Sequence, residues 1–331
     1  MKELAVFTHK ACRLHDTPQG HPEQVARLDV VINALKSPGL EKIDWQENPP
    51  KATTAQLEYA HTPAYVQKIL TSAPATGHLW LDEDTAISPH SIDAALYAAG
   101  AGIAAVNHIM AGHAKKAFCA TRPPGHHAEK DKPMGFCLFA NAAIAGWHAI
   151  KAHGIKQVAI IDFDVHHGNG TANIVDGHPE FIFASTHQFP FYPGTGAPSE
   201  TGSLGNIINV PLNEGDGGAQ FRKAFTDKIL PALENFKPEI IIISAGFDAH
   251  KDDPLGKINL TEDDYVWVTR ELQKIADRHA KGRIVSMLEG GYNLTSLANS
   301  ATAHVGQMLK DTASPAVTPS AIITKPRKPG M

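Results

Sequence analysis

Residues 158–170 read Val-Ala-Ile-Ile-Asp-Phe-Asp-Val-His-His-Gly-Asn-Gly, an unbroken apolar run that ends in two carboxylates and two imidazoles. Four aliphatic residues without polar alternation suit a strand of a parallel sheet covered on both faces. This restricts the chain to an α/β architecture, in which ligands gather beyond the carboxyl ends of the strands. Side chains two apart on a strand share a face, so Asp162, Asp164 and His166 are expected to point the same way. Imidazole with carboxylate suits zinc or ferrous iron, whereas magnesium usually takes oxygen ligands and water. Two blander readings compete: ordinary loop polar residues, and a magnesium phosphatase using Asp-x-Asp as nucleophile. Against the second, the paired histidines favour a softer divalent metal.

Short apolar runs alternate along the chain with segments of helical period, the pattern of repeated β-α units. Eight strands are expected, near 4–8, 43–45, 117–121, 158–163, 181–185, 207–210, 240–244 and 284–288. Helices are expected over 22–35, 63–70, 91–110, 140–152, 218–235, 261–280 and 294–309. Thr261-Glu-Asp-Asp and Ser88-Pro89 read as helix starts. No internal repeat is evident. The Gly- and Pro-rich segments 188–205 and 249–259 read as long loops at strand ends, where function tends to sit.

The chain has 331 residues, 43% hydrophobic and 19% charged, enough for one large core. A formal net charge of −4 gives no global drive toward nucleic acid. Cys12, Cys119 and Cys137 are odd in number and form no Cys-x-x-Cys pair, so neither a disulfide framework nor a thiolate zinc site is implied. The N-terminal apolar run is too short for a signal peptide, and no later segment reads as a bilayer span; a cytoplasmic protein with no membrane partner is expected. Residues 311–331 mix Pro, Ser, Thr and Ala with the basic cluster 325–328 and read as a tail.

Four of the expected strands end in unusual polar groups. One runs into Arg122-Pro-Pro-Gly-His126-His127, one into Asp162, Asp164 and His166, one into Ser244-Ala-Gly-Phe-Asp248, and one into Glu289-Gly-Gly-Tyr292. In a parallel sheet these ends share one edge, so a single pocket is expected to hold them.

On these motifs, with His21-Pro22-Glu23 and Arg27, Gly135-Phe136-Cys137, Phe191-Tyr-Pro-Gly-Thr195 and Asp248-Ala-His-Lys-Asp252, the chain resembles the histone deacetylase family over roughly residues 1–310. The likeness is to its class II and bacterial acetylpolyamine amidohydrolase-like branch. It implies one catalytic domain, 1–310, with the arginase/deacetylase-like three-layer α/β fold and a mostly parallel sheet of about eight strands.

The resemblance also implies a set of roles. Asp164, His166 and Asp248 hold zinc, with ferrous iron as the alternative, and leave positions open for water and substrate. His126 and His127 form the acid and base pair, His126 partnered by Asp162 and His127 by Asn169. Many relatives have Asp where this chain has Asn169. A carboxylate raises imidazole basicity more than an amide does, so His127 is expected to be the main base and His126 a stabilising cation. Tyr292 is expected to donate to the oxyanion. Gly135, Phe136 and Tyr192 are expected to line a substrate tunnel, Gly135 leaving room for a methylene chain, and Asp84 to hold substrate backbone at the rim. A structural potassium site is implied at Asp162 and Ser185 with carbonyls of Asp164, His166 and Thr186. Arg27 matches a buried arginine near a product exit.

Each of these residues has a plain alternative: a helix cap for Asp248, core packing for Tyr292, Phe136 and Tyr192, a solvated acidic turn for Asp84, a buried strand hydroxyl for Ser185, and a salt bridge for Arg27. The expected activity is removal of an acyl group, most simply acetyl, from the terminal amine of acetyl-lysine or an acetylated polyamine. Its rivals are an arginase-like binuclear ureohydrolase and an inactive acetyl-lysine binding protein. Partners are then a small acetylated amine or an acetyl-lysine peptide, with homo-oligomerisation left open.

Overall fold

In the computed structural model, which describes residues 2–310, eight parallel strands form one sheet in the order β2-β1-β5-β10-β9-β6-β7-β8. They are β1 Lys2–Phe7, β2 Asp44–Gln46, β5 Ala114–Cys119, β6 Val158–Asp162, β7 Phe181–Gln188, β8 Ile207–Leu212, β9 Ile240–Ala245 and β10 Ile284–Leu288. A small antiparallel hairpin, β3 Leu79–Trp80 with β4 Ala86–Ile87, stands apart. The helices are α1 Ala26–Leu35, α2 Thr54–Leu57, α3 Pro63–Leu70, α4 Ser91–Met110, α5 Asn141–His153, α6 Asn169–Val175, α7 Gly218–Ala224, α8 Leu230–Phe236, α9 Glu262–His279 and α10 Leu294–Met308, with a 3-10 turn at Lys10–Leu14. The expected α/β fold is therefore what forms.

Strand alternation divides the interior into two cores. On β6, Val158 and Ile160 face the layer that contains α3, α4 and α5, while Ala159 and Ile161 face the layer of α1, α9 and α10. Both faces are covered, which is why the central strands read as continuous apolar runs.

Three expectations change. The expected helix 218–235 is α7 and α8 joined by a π turn, Phe225–Ile229, next to Pro231, whose missing amide hydrogen disrupts the regular bonding pattern. Ser88 is not a cap: α4 starts after His90, and the Ser88 hydroxyl instead meets Ser91 Oγ at 3.0 Å and the Asp16 amide at 3.1 Å. Helix α4 is also long and apolar enough, by composition, to cross a membrane, with a mean hydropathy of 1.2, contrary to the sequence reading. Its apolar character belongs to the core instead, since 67% of that window is buried and Gly102 packs against the Met287 side chain of β10. The Thr261 start does hold: Asp264 Oδ2 accepts from the Thr261 amide at 3.0 Å and from its hydroxyl at 3.2 Å. The expected tail, 311–331, lies outside the described residues.

Candidate active site

Strands β5, β10, β9 and β6 are consecutive neighbours and all parallel, so their carboxyl ends lie side by side at the middle of the sheet. These are the four ends that carry the unusual polar groups. Segments more than a hundred residues apart in sequence thereby converge.

Ligand atoms of Asp164, His166 and Asp248 all lie within 4.8 Å of one another, and the three side chains are buried. His166 Nδ1 is 3.1 Å from Asp164 Oδ1 and 3.2 Å from Asp248 Oδ2. Backbone amides orient the carboxylates: Gly290 N–H donates to Asp164 Oδ2 at 2.8 Å and Val165 N–H to Asp248 Oδ1 at 2.8 Å. Asp248 Oδ2 is buried and completes no hydrogen bond although the His166 ring nitrogen is 3.2 Å away, an arrangement that a cation between them would satisfy. Gly290 leaves room for this geometry, because a Cβ there would collide with Oδ2 of both Asp164 and Asp248. Two acids and an imidazole converging in this way fit a divalent metal.

The charges respond accordingly. Burial and the neighbouring Asp164 push Asp248 up to about 7. Burial works against protonating His166, yet the Asp164 and Asp248 carboxylates push it up to about 10.

Asp162 keeps the side expected of it, since Phe163 and Val165 continue the opposite face with Ala159 and Ile161 beyond the end of β6. Its Oδ2 meets His126 Nδ1 at 2.9 Å and its Oδ1 accepts from the Asp164 amide at 3.1 Å. His127 Nδ1 lies 2.7 Å from Asn169 Oδ1 at the start of α6. The two imidazoles stand 4.0 Å apart, with His126 Nε2 3.8 Å from Asp164 Oδ2. Burial disfavours the charge on His126, but the Asp162 and Asp164 carboxylates overcome it and raise its pKa well above the ordinary value. For His127 burial and the neighbouring His126 and His166 act together and lower its pKa well below the ordinary value. The two adjacent imidazoles are thus shifted in opposite directions.

Tyr292 follows the Gly290-Gly291 turn after β10, where Gly291 adopts φ +122°, a conformation suited to glycine. Its amide and that of Asn293 donate to Asp253 Oδ2 at 2.6 and 3.1 Å, which anchors the turn. Arg27 Cζ lies 4.9 Å from the Tyr292 ring centroid. Burial raises the phenol's pKa well above 10 and Asp248 and Asp164 add to this against Arg27, so the hydroxyl remains a donor.

The ring of Phe136 stands edge-on to Tyr292 at 5.9 Å, and Tyr192 is edge-on to His127 at 5.2 Å and to His166 at 5.9 Å. Gly135 leaves space for a different reason from the one expected: a Cβ there would collide with Cδ2 of the His127 ring, so the gap is filled by that imidazole. Asp84 is tied to the same segment, where its Oδ1 accepts from the Gly135 amide at 3.0 Å and the Thr85 hydroxyl at 2.9 Å. Ser185 is the register partner of Asp162, and its hydroxyl meets His187 Nδ1 at 2.9 Å; Thr186 follows it on β7.

Comparison with known proteins places this geometry. The family model described as histone deacetylase domain matches residues 21–308. The chain belongs to the histone deacetylase family. It is 39% identical to histone deacetylase 14, chloroplastic, of Arabidopsis thaliana, over 85% of this chain and 71% of that one. It is 37% identical to the histone deacetylase-like amidohydrolase of Pseudomonas aeruginosa, over 83% and 73%. A crystal structure of the HDA15 HD domain superposes with a TM-score of 0.88 at 36% identity, covering 93% of this chain and 90% of the other. This family member is a hydrolase acting on acetylated amides, and its family implies a metal cofactor.

Several residues of this deacetylase gained no role from the sequence although their motifs were visible. Glu289 Oε2 accepts from the Gly125 and His126 amides at 2.7 and 3.2 Å, joining β10 to the histidine turn. Glu23 is wedged between Arg27 and Arg122, with Arg27 Nη1 and Arg122 Nη2 at 2.7 and 2.6 Å. Arg27 also donates to the carbonyls of Gly291 and Glu289, both at 2.6 Å, so beyond a salt bridge it secures the backbone leading to Tyr292. Phe191 stacks on His166 at 5.5 Å and 17°. Only a fold can reveal which distant groups these side chains brace.

Proposed function

We propose that this chain is a zinc-dependent amidohydrolase that removes an acetyl group from the terminal amine of acetyl-lysine or an acetylated polyamine. The convergence of Asp164, His166 and Asp248 beside the His126–Asp162 and His127–Asn169 pairs supports this most strongly. When bound by these three residues, zinc, or ferrous iron in its place, supplies Lewis acidity that polarises the carbonyl and lowers the pKa of water from ~15.7 to ~7.

The chain's own residues do the rest. Nε2 of neutral His127 takes the proton of the attacking water and passes it to the departing amine nitrogen, so water and amide become acetate and amine. The cation of His126, backed by Asp162, offsets negative charge on the carbonyl oxygen, to which the Tyr292 hydroxyl donates. Phe136 and Tyr192 offer ring faces and edges to a methylene chain, as does Gly135 by its backbone, and Asp84 braces the mouth. Potassium at Asp162 and Ser185, with carbonyls of Asp164, His166 and Thr186, is proposed on the side-by-side register of β6 and β7.

A binuclear ureohydrolase would require more acidic and imidazole ligands, and among the described residues one ligand triad is found. Residues 1–310 are proposed as the catalytic domain and the cytoplasm as its location; the Arabidopsis relative's chloroplastic designation makes cell fractionation the relevant check.

The test is side-by-side turnover of acetyl-lysine peptides and N-acetylputrescine. Acetate release from either supports the reading, the faster substrate names the class, and no release from both would contradict it.

A further inference from the structure

The partner of His127 is an amide, and an amide has two unlike ends. The NH2 of Asn169 donates to Glu129 Oε1 at 2.6 Å, while its Oδ1 faces His127 Nδ1 at 2.7 Å. We infer that Glu129 is a positioning residue that polarises Asn169 and thereby keeps the His127 base in its working tautomer. This inference rests on the assignment of His127 as the proton acceptor.

The chemistry admits one orientation. A carboxylate only accepts, so the amide must turn its NH2 toward Glu129 and its carbonyl toward His127. A carbonyl likewise only accepts, so His127 Nδ1 must carry the ring hydrogen. The lone pair of the neutral imidazole is then left on Nε2, the atom available to a proton from water. Were the amide reversed, its NH2 would face Nδ1, which would have to accept, and Nε2 would carry a hydrogen and lose its function as a base. The His126 pair needs no such device because both oxygens of Asp162 accept.

The surroundings hold Glu129 in place. Its carbonyl accepts from His61 Nδ1 at 2.9 Å and its amide donates to the Lys132 carbonyl at 2.9 Å. Asn169 and His127 are both buried, whereas Glu129 is half-buried at the outer end of the relay. The second contact of the Asn169 NH2, Met134 Sδ at 3.3 Å, is a weak acceptor and supports the same orientation.

A double-mutant cycle tests this on the intact, metal-loaded chain. Glu129→Ala should lower kcat about ten-fold with little change in KM, a fraction of the ~10²- to 10⁴-fold contribution of a general base. Glu129→Gln should recover most of the loss by presenting its carbonyl to the same NH2. In an Asn169→Asp background, where either oxygen accepts from His127, adding Glu129→Ala should cost nothing further. Equal losses in both backgrounds, or a Gln variant as impaired as Ala, would overturn the inference. Ring nitrogen NMR on ¹⁵N-histidine-labelled protein, with His127 identified by its loss in His127→Ala, gives a second reading: Nδ1 protonated in the parent and mixed tautomers in Glu129→Ala. An unchanged tautomer in Glu129→Ala would also overturn it. Full turnover by His127→Ala would instead remove the base assignment beneath it, a failure distinguishable from the others.

Discussion

His126 and His127 are adjacent, equally buried and 4.0 Å apart, yet a carboxylate holds one ring and an amide the other. With Asp164 beside His126 and with His126 and His166 beside His127, that difference shifts the two rings in opposite directions. Asn169→Asp should raise the pKa of His127, because a carboxylate favours the imidazolium that an amide only weakly supports. The base works when unprotonated, so the acidic limb of the pH profile of kcat/KM should move to higher pH; a limb that stays put would reject the assignment. Both pairings were legible in sequence through the resemblance, and the distances agree with them. The braces were not: Glu129, Glu289 and Glu23 contact Asn169, Gly125 and Arg122, 40 to 164 positions away, and no local pattern encodes such a contact.

At the scale of elements, the turn after β10 matters more than its length suggests. Gly290 donates its amide to Asp164 and sits where any side chain would strike both ligand carboxylates. Gly290→Ala should therefore leave β10 and the sheet intact but weaken metal affinity about ten-fold or more, in line with the cost of losing a group that orients metal ligands. Metal retention after dialysis, measured with circular dichroism on the same sample, checks this; full retention would show that the turn tolerates a Cβ. The central strands β6, β7, β9 and β10 were legible because each is buried along its whole length, and most of their residues are apolar. The β3-β4 hairpin, α2 and α6 were not, being two to seven residues long and stabilised by tertiary contacts that leave no period in the sequence. Helix α4 was placed correctly, although its composition would also suit a membrane span and only its burial in the core tells the two apart.

Across the whole molecule, the proposed metal triad should make stability depend on metal and pH together. Without a metal, burial beside Asp164 raises Asp248 to about 7, and the two carboxylates raise His166, against burial, to about 10. Both groups hold more protons folded than unfolded, so the metal-free protein loses stability as pH rises, through about 7 for Asp248 and from near 6.5 toward about 10 for His166. A bound cation replaces those protons. The melting temperatures of metal-loaded and chelated protein should consequently diverge between about pH 6 and pH 9, with the chelated form falling; a constant or narrowing gap would contradict the ligand assignment. The order of strands was not legible in sequence, and it is that order, β5-β10-β9-β6, that turns four separate motifs into one pocket. The most direct test of that pocket is to strip the protein of metal and titrate zinc back while following acetate release from an acetylated amine. One equivalent per chain should restore turnover in the parent and none should restore it in Asp248→Ala; activity that needs two equivalents, or that returns without Asp248, would contradict a single catalytic ion held by Asp164, His166 and Asp248.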